Sequence, residues 1–85
     1  MGVIQGDHGV SLMLSVTVTA GADGGISHQV PGVRIGDIVR VARDTTDGHD
    51  VSMYFEPVVT SHGHIVQTRG DIAGHTIAVL MVRPT

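Results

Sequence analysis

Val30-Pro31-Gly32-Val33-Arg34-Ile35-Gly36-Asp37-Ile38-Val39 decides how this chain folds. Proline presets the first central position of a tight turn and glycine accepts the positive φ of the second, so Pro31-Gly32 is a reversal. Gly36-Asp37 is a second reversal, and it launches a strand on which Val39 and Val41 share one face. Two turns this close, each feeding an apolar strand, make a corner in a β-sandwich or barrel. They do not make a catalytic loop.

Outward from the corner, apolar residues recur at every second position. Leu12, Leu14, Val16 and Val18 alternate with Met13, Ser15, Thr17 and Thr19, the pattern of a strand with one buried face. Ala22-Asp23-Gly24-Gly25 reads as a hairpin turn into a second strand, Ile26 to Val30. After the corner comes Ile38–Arg43, then a polar, acidic loop from Asp44 to Asp50 expected at the surface. Val51 to Glu56 resumes the alternation until Pro57. Val58-Val59-Thr60 and His64–Thr68 read as a hairpin around Ser61-His62-Gly63, and Asp71–Gly74 as a loop. The last strand is Thr76 to Arg83, with the apolar run Ile77–Val82 suited to burial, and Pro84 stops it.

Reversals every ~8–12 residues and no helical period predict an all-β fold. The expected architecture is a small antiparallel β-sandwich or jelly-roll-like barrel of six to seven strands. Period-two faces place Leu12, Leu14, Val16, Val18, Val39, Val41, Met53, Phe55, Ile65, Ile77 and Val79 in the core. Residues 11–85 form one β-domain. Residues 1–10 are glycine-rich and weakly patterned. They read either as a frayed terminus or as an arm whose Val3, Ile4 and Gln5 add to a neighbouring sheet edge.

A chain of 85 residues is near the lower limit for folding alone, and it has no cysteine to staple it. Tyr54 and Phe55 are its only aromatics, so the core rests on Val, Ile, Leu and Met. Association with other copies is the remaining route to a larger core. Eight acids against five scattered arginines and no lysine give a net charge of −3, which disfavours binding to nucleic acid. No apolar run approaches the ~20 residues of a membrane helix, and the N-terminus lacks a signal-peptide layout, so no membrane partner is expected.

Chemistry is hard to find. His62-Gly63-His64 would present two imidazoles to one metal if the segment were a strand, with His75, His49 or Asp71 as a third ligand. A glycine at a turn breaks that geometry, so His62, His64 and His75 are weak metal candidates and no cofactor is expected. His28, among apolar strand positions, reads as a satisfied core or interface histidine. No nucleophile elbow frames any serine, and the strand serines read as outward-facing. No strand-to-helix transition follows the glycine pairs to hold a phosphate. The carboxylates lie in turns and loops, where solvation is the default, and the Asp44–Asp50 spacing misses the EF-hand pattern. An enzyme is not expected.

The chain resembles small all-β structural proteins of tailed bacteriophages, including capsid decoration proteins. The resemblance covers roughly residues 28 to 85 and rests on Val30-Pro31-Gly32, Gly36-Asp37-Ile38-Val39, Val59-Thr60 through Gly63-His64-Ile65, and Val82-Arg83-Pro84. It departs after Gln67, where Thr68–Gly74 stands in place of an Asn-rich turn. The resemblance implies a virion structural protein on the outer surface of a capsid, a homotrimer whose partner is the major capsid protein. It would cement the head by bridging capsid subunits. Two other readings stay open: a tail, fibre or receptor-binding module of a virion, and a small metal- or carbohydrate-binding β-domain using His62, His64 and His75.

Overall fold

The computed structural model describes residues 12–22 and 24–84. The Val3, Ile4 and Gln5 arm therefore lies outside the described residues, as does Asp23 of the expected hairpin turn. The described chain is nearly all β, in two antiparallel sheets. Strand β1 is Leu12–Thr19, β2 Ile26–Gln29, β3 Ile38–Asp44, β4 His64–Gln67 and β5 Thr76–Arg83. The first sheet has the order β1-β5-β3 and the second pairs β2 with β4.

Central position falls to β5 because it is the most apolar strand. Ile77, Val79 and Met81 are buried on one face, and Ala78, Leu80 and Val82 are half-buried on the other. On the inner face, Val16 and Val18 stand opposite Val79 and Ile77, while Val39 and Ala42 stand opposite Met81 and Val79. Ala20, Val30, Val33, Val51, Phe55, Val59, Ile65 and Ile72 complete the core from the other segments.

The corner forms as its residues dictate. Gly32 and Gly36 both have φ of 94°, and each occupies the third position of a turn closed by a backbone bond. These bonds run from Val33 N–H to Val30 O (3.3 Å) and from Asp37 N–H to Arg34 O (3.0 Å). The corner is then strapped to the Gly63 turn, with Val30 N–H donating to Gly63 O and Gly63 N–H to Val33 O, both at 2.7 Å.

Several expectations are corrected. β1 and β2 are not a hairpin: β1 pairs along its whole length with β5, and the glycines after it carry the chain into the other sheet. Gly24 passes the segment just after β4 so closely that any side chain there would collide with the Thr68 carbonyl. Ser52–Tyr54 is a 3-10 turn and not strand, because the Asp50 carboxylate accepts the Ser52 N–H at 2.9 Å and coils the chain. Met53 consequently points outward, 61% exposed. Val58–Thr60 makes a single bridge, Val58 to Ile38, in place of a full hairpin. The described residues thus hold five strands, fewer than six or seven.

Register explains the remaining core differences. A bulge at Arg40 sits between Val39 and Val41, so Ala42 and Asp44 turn inward and Val41 moves to the outer face. At the other end, Leu12 is 48% exposed because it lies opposite Arg83, where the apolar inner face runs out. Leu14 and Val16 are half-buried against the core.

Gly32 has open space around its Cα, so a side chain there meets only backbone strain. Gly32→Val should cost about 1–2 kcal/mol or more, and clearly exceed the cost of Thr17→Ser on the exposed face of β1. Chemical denaturation checks this. Equal midpoints for the two variants would remove the corner from the determinants of the fold.

Candidate functional site

Three buried polar side chains organise the described residues, and each is saturated by structural bonds. Asp37, 1% exposed, stands at the end of the Gly36 turn. It accepts Arg83 Nε at Oδ1 and an Arg83 terminal nitrogen at Oδ2, both at 2.9 Å, and Arg34 N–H at 2.8 Å. Arg83 also donates to Gly32 O at 2.6 Å. The guanidinium beside Asp37 holds its carboxyl below the usual carboxylate range, and the Arg34 N–H adds to this against the cost of burial.

Asp44, also 1% exposed, is the second. His75 Nδ1 donates to its Oδ2 at 2.5 Å and Thr46 N–H to its Oδ1 at 2.8 Å. The hydrogen bond to His75 lowers the Asp44 carboxyl and raises the His75 imidazole above its ordinary value. The loop that follows is exposed as expected, but its first carboxylate is not, because the Arg40 bulge turned it inward. Solvation as the default for the acids is therefore corrected at Asp37 and Asp44.

Gln67 is the third, fully buried at the end of β4. Its Oε1 accepts Gly21 N–H at 3.0 Å and His28 Nε2 at 2.8 Å. Its Nε2 donates to Gly21 O at 3.2 Å and to Arg69 O. The bond to His28 matches the reading of that residue as a satisfied histidine, with its ring 6.4 Å from Phe55.

The sequence candidates do not converge. His62 Nδ1 accepts Ile35 N–H at 3.2 Å, and His64 Nδ1 donates to His62 O at 3.0 Å, so both serve the Gly63 turn. His75 is committed to Asp44. No three His, Asp or Glu side chains among the described residues are placed to hold a metal. Ser52 is not outward-facing: its Oγ accepts Ala42 N–H at 2.9 Å and donates to Asp50 Oδ1 at 2.5 Å. Those bonds tie the 3-10 turn to β3 and hold the Asp50 carboxyl low.

Shallow depressions lie on the surface of the described residues. One, of about 380 Å³, lies between the Asp44–Asp50 loop and the 3-10 turn, where Arg69 sits 6.0 Å from the Tyr54 ring centroid. Another, of about 420 Å³, is lined by Arg34, Ile35, Pro84 and the Asp37–Arg83 pair. Comparison with protein-family models, curated proteins and solved structures finds no match.

Sequence reasoning missed the partners of Asp37, Asp44 and Gln67. One signal was present: Gly36-Asp37 and Val82-Arg83 each put an opposite charge at the end of an apolar strand.

Breaking the Asp37–Arg83 pair from one side leaves a buried charge without compensation, whereas removing both sides does not. Arg83→Met should lower the denaturation midpoint more than the double variant Asp37→Asn/Arg83→Met. A double variant no better than the single one would show that the pair is not what Arg83 supplies.

The His75–Asp44 pair has a pH signature. Because folding raises the His75 pKa, its stabilisation is fully present below the unfolded value of about 6.5 and fades as pH rises through the folded value. Because folding lowers the Asp44 pKa, its share is lost as pH falls through that lower value. The melting temperature gap between the wild type and His75→Gln should be widest in mildly acidic buffer and narrow on the alkaline side. A gap that does not change with pH would sink the assignment.

Proposed function

We propose that this chain is an architectural protein of a phage virion, a capsid decoration (cement) protein that stabilises the head by bridging capsid subunits. The observation that carries the reading is that the residues of the phage resemblance interlock in space. Val30-Pro31-Gly32 and Gly36-Asp37 are clamped by Arg83 of Val82-Arg83-Pro84, and Gly63 is strapped to Val30 and Val33. The pattern is thus one physical unit and not a scatter of short matches. Its polar groups are spent on holding the corner rigid, which suits a part valued for its surfaces.

In this reading the two sheets form a small antiparallel β-sandwich or jelly-roll-like barrel. The protein sits on the outer surface of the capsid as a homotrimer, and its partner is the major capsid protein. Its mechanism is binding energy alone: it stabilises the shell to the extent that it binds the assembled lattice better than free subunits.

The test is whether a major capsid protein is encoded beside the chain, and then co-expression of the two followed by sedimentation of the shells. Saturable co-sedimentation and a raised shell dissociation temperature are expected. Shells that sediment without the chain at any input ratio would overturn the proposal.

A further inference from the structure

The central strand β5 is apolar on both faces, yet the core covers only one. Opposite residues of an antiparallel pair share a face, so the outer face can be read in rows. One row is Met13, Val82 and Ile38, extended by Val58 through its bridge to Ile38. The next is Ser15, Leu80 and Val41. Met13 is 57% exposed and Val58 45%, while Val82, Ile38, Leu80 and Val41 are half-buried. An antiparallel sheet with one face in water usually alternates apolar with polar residues, and β5, with Ala78, Leu80 and Val82 on its outer side, departs from that pattern. Contiguous apolar rows on a small protein mark an interaction surface.

The margins of this sheet differ in a telling way. The outer edge of β3 is closed by its bulge and by backbone bonds from 48–59, among them Val39 N–H to Pro57 O and Val51 N–H to Ala42 O. That is how sheets guard against edge-to-edge pairing. β1 has no such guard. Ala20 N–H donates to His75 O, which sets the even residues of β1 toward β5. Met13, Ser15, Thr17 and Thr19 then turn their backbone groups outward. Among the described residues nothing pairs with them. β1 carries no charge, no proline and no bulge along its length. The unguarded edge and the apolar face meet at Met13.

We infer that this face and its β1 margin are where a second copy of the chain docks. A second copy is the occupant the charge pattern selects. The chain carries a net charge of −3, but these two rows and β1 contain no acid or base, and Arg43 stands one row further on, opposite Ala78 at the far strand of the sheet. Two copies therefore meet there without opposing like charges, and a partner chosen by charge finds nothing to read. The inference rests on the self-association part of the proposed function and is independent of the capsid part.

Sedimentation velocity of the full chain over a concentration series is the experiment, with Met13→Arg/Val58→Arg and Thr17→Lys as separate test variants. Met53→Arg, at an exposed apolar residue off this face, is the control. Circular dichroism and melting verify that each variant folds. The wild type should associate, and each test variant should weaken association by about a hundredfold or more, because it buries an unpaired charge. The control should associate like the wild type. Three results would overturn the inference. They are a wild type that is monomeric throughout, test variants that associate as well as the control, and release of monomers only on deleting residues 2–11. A dimer broken by the face variants would uphold the docking face while rejecting the trimer. Failure to co-sediment with shells would leave the face untouched.

Discussion

Asp37 is almost without solvent, and its carboxylate is held by two nitrogens of Arg83 and by the N–H of Arg34. The rest of the structure depends on this clamp because it ties the corner after β2 to the last residue of β5. A slip of β5 by one residue would send the side chain at position 83 to the other face and leave a buried carboxylate without a partner. Register in the central strand is therefore specified at its end by charge as well as along its length by apolar contact. Since β5 sets the positions of both β1 and β3, the whole first sheet inherits that register.

The second sheet is held by a different device. Gln67 at the end of β4 binds both backbone groups of Gly21, the carbonyl of Arg69 and the ring of His28. It joins the segment leaving β1 to the strand that pairs with β2. In a chain with one tyrosine, one phenylalanine and no disulfide, such ties supply definition that a thin aliphatic core does not. The Asp44–His75 pair does the same at the opposite margin, fixing the turn before β5 to the end of β3.

Architecture and proposed role meet in how polar groups are used. Each buried polar side chain answers to the backbone or to an opposite charge within the domain, and the apolar surplus is displayed on the outer face of the first sheet. A module whose outer face carries two rows without charge is physically suited to bridging neighbours. The proposed position on a capsid gives that face and the corner their use.

Much of this was legible along the chain, because the information was local. Period-two alternation sets β1 and β5, and proline with glycine sets the corner, since φ preferences act within one or two residues. Elsewhere local signals misled. The glycines at 24 and 25 read as a hairpin but serve a crossing between sheets. The alternation at 51–56 yielded to a 3-10 turn drawn in by Asp50 and Ser52. The bulge at Arg40 reversed the faces of half of β3, and with them the fate of Asp44. Pairing partners, the inward turn of a carboxylate and the guarding of one sheet edge but not the other depend on residues far apart in the chain, as Asp37 and Arg83 are, 46 positions from each other. Such contacts follow from the close packing of the whole chain, and only the tertiary structure decides them.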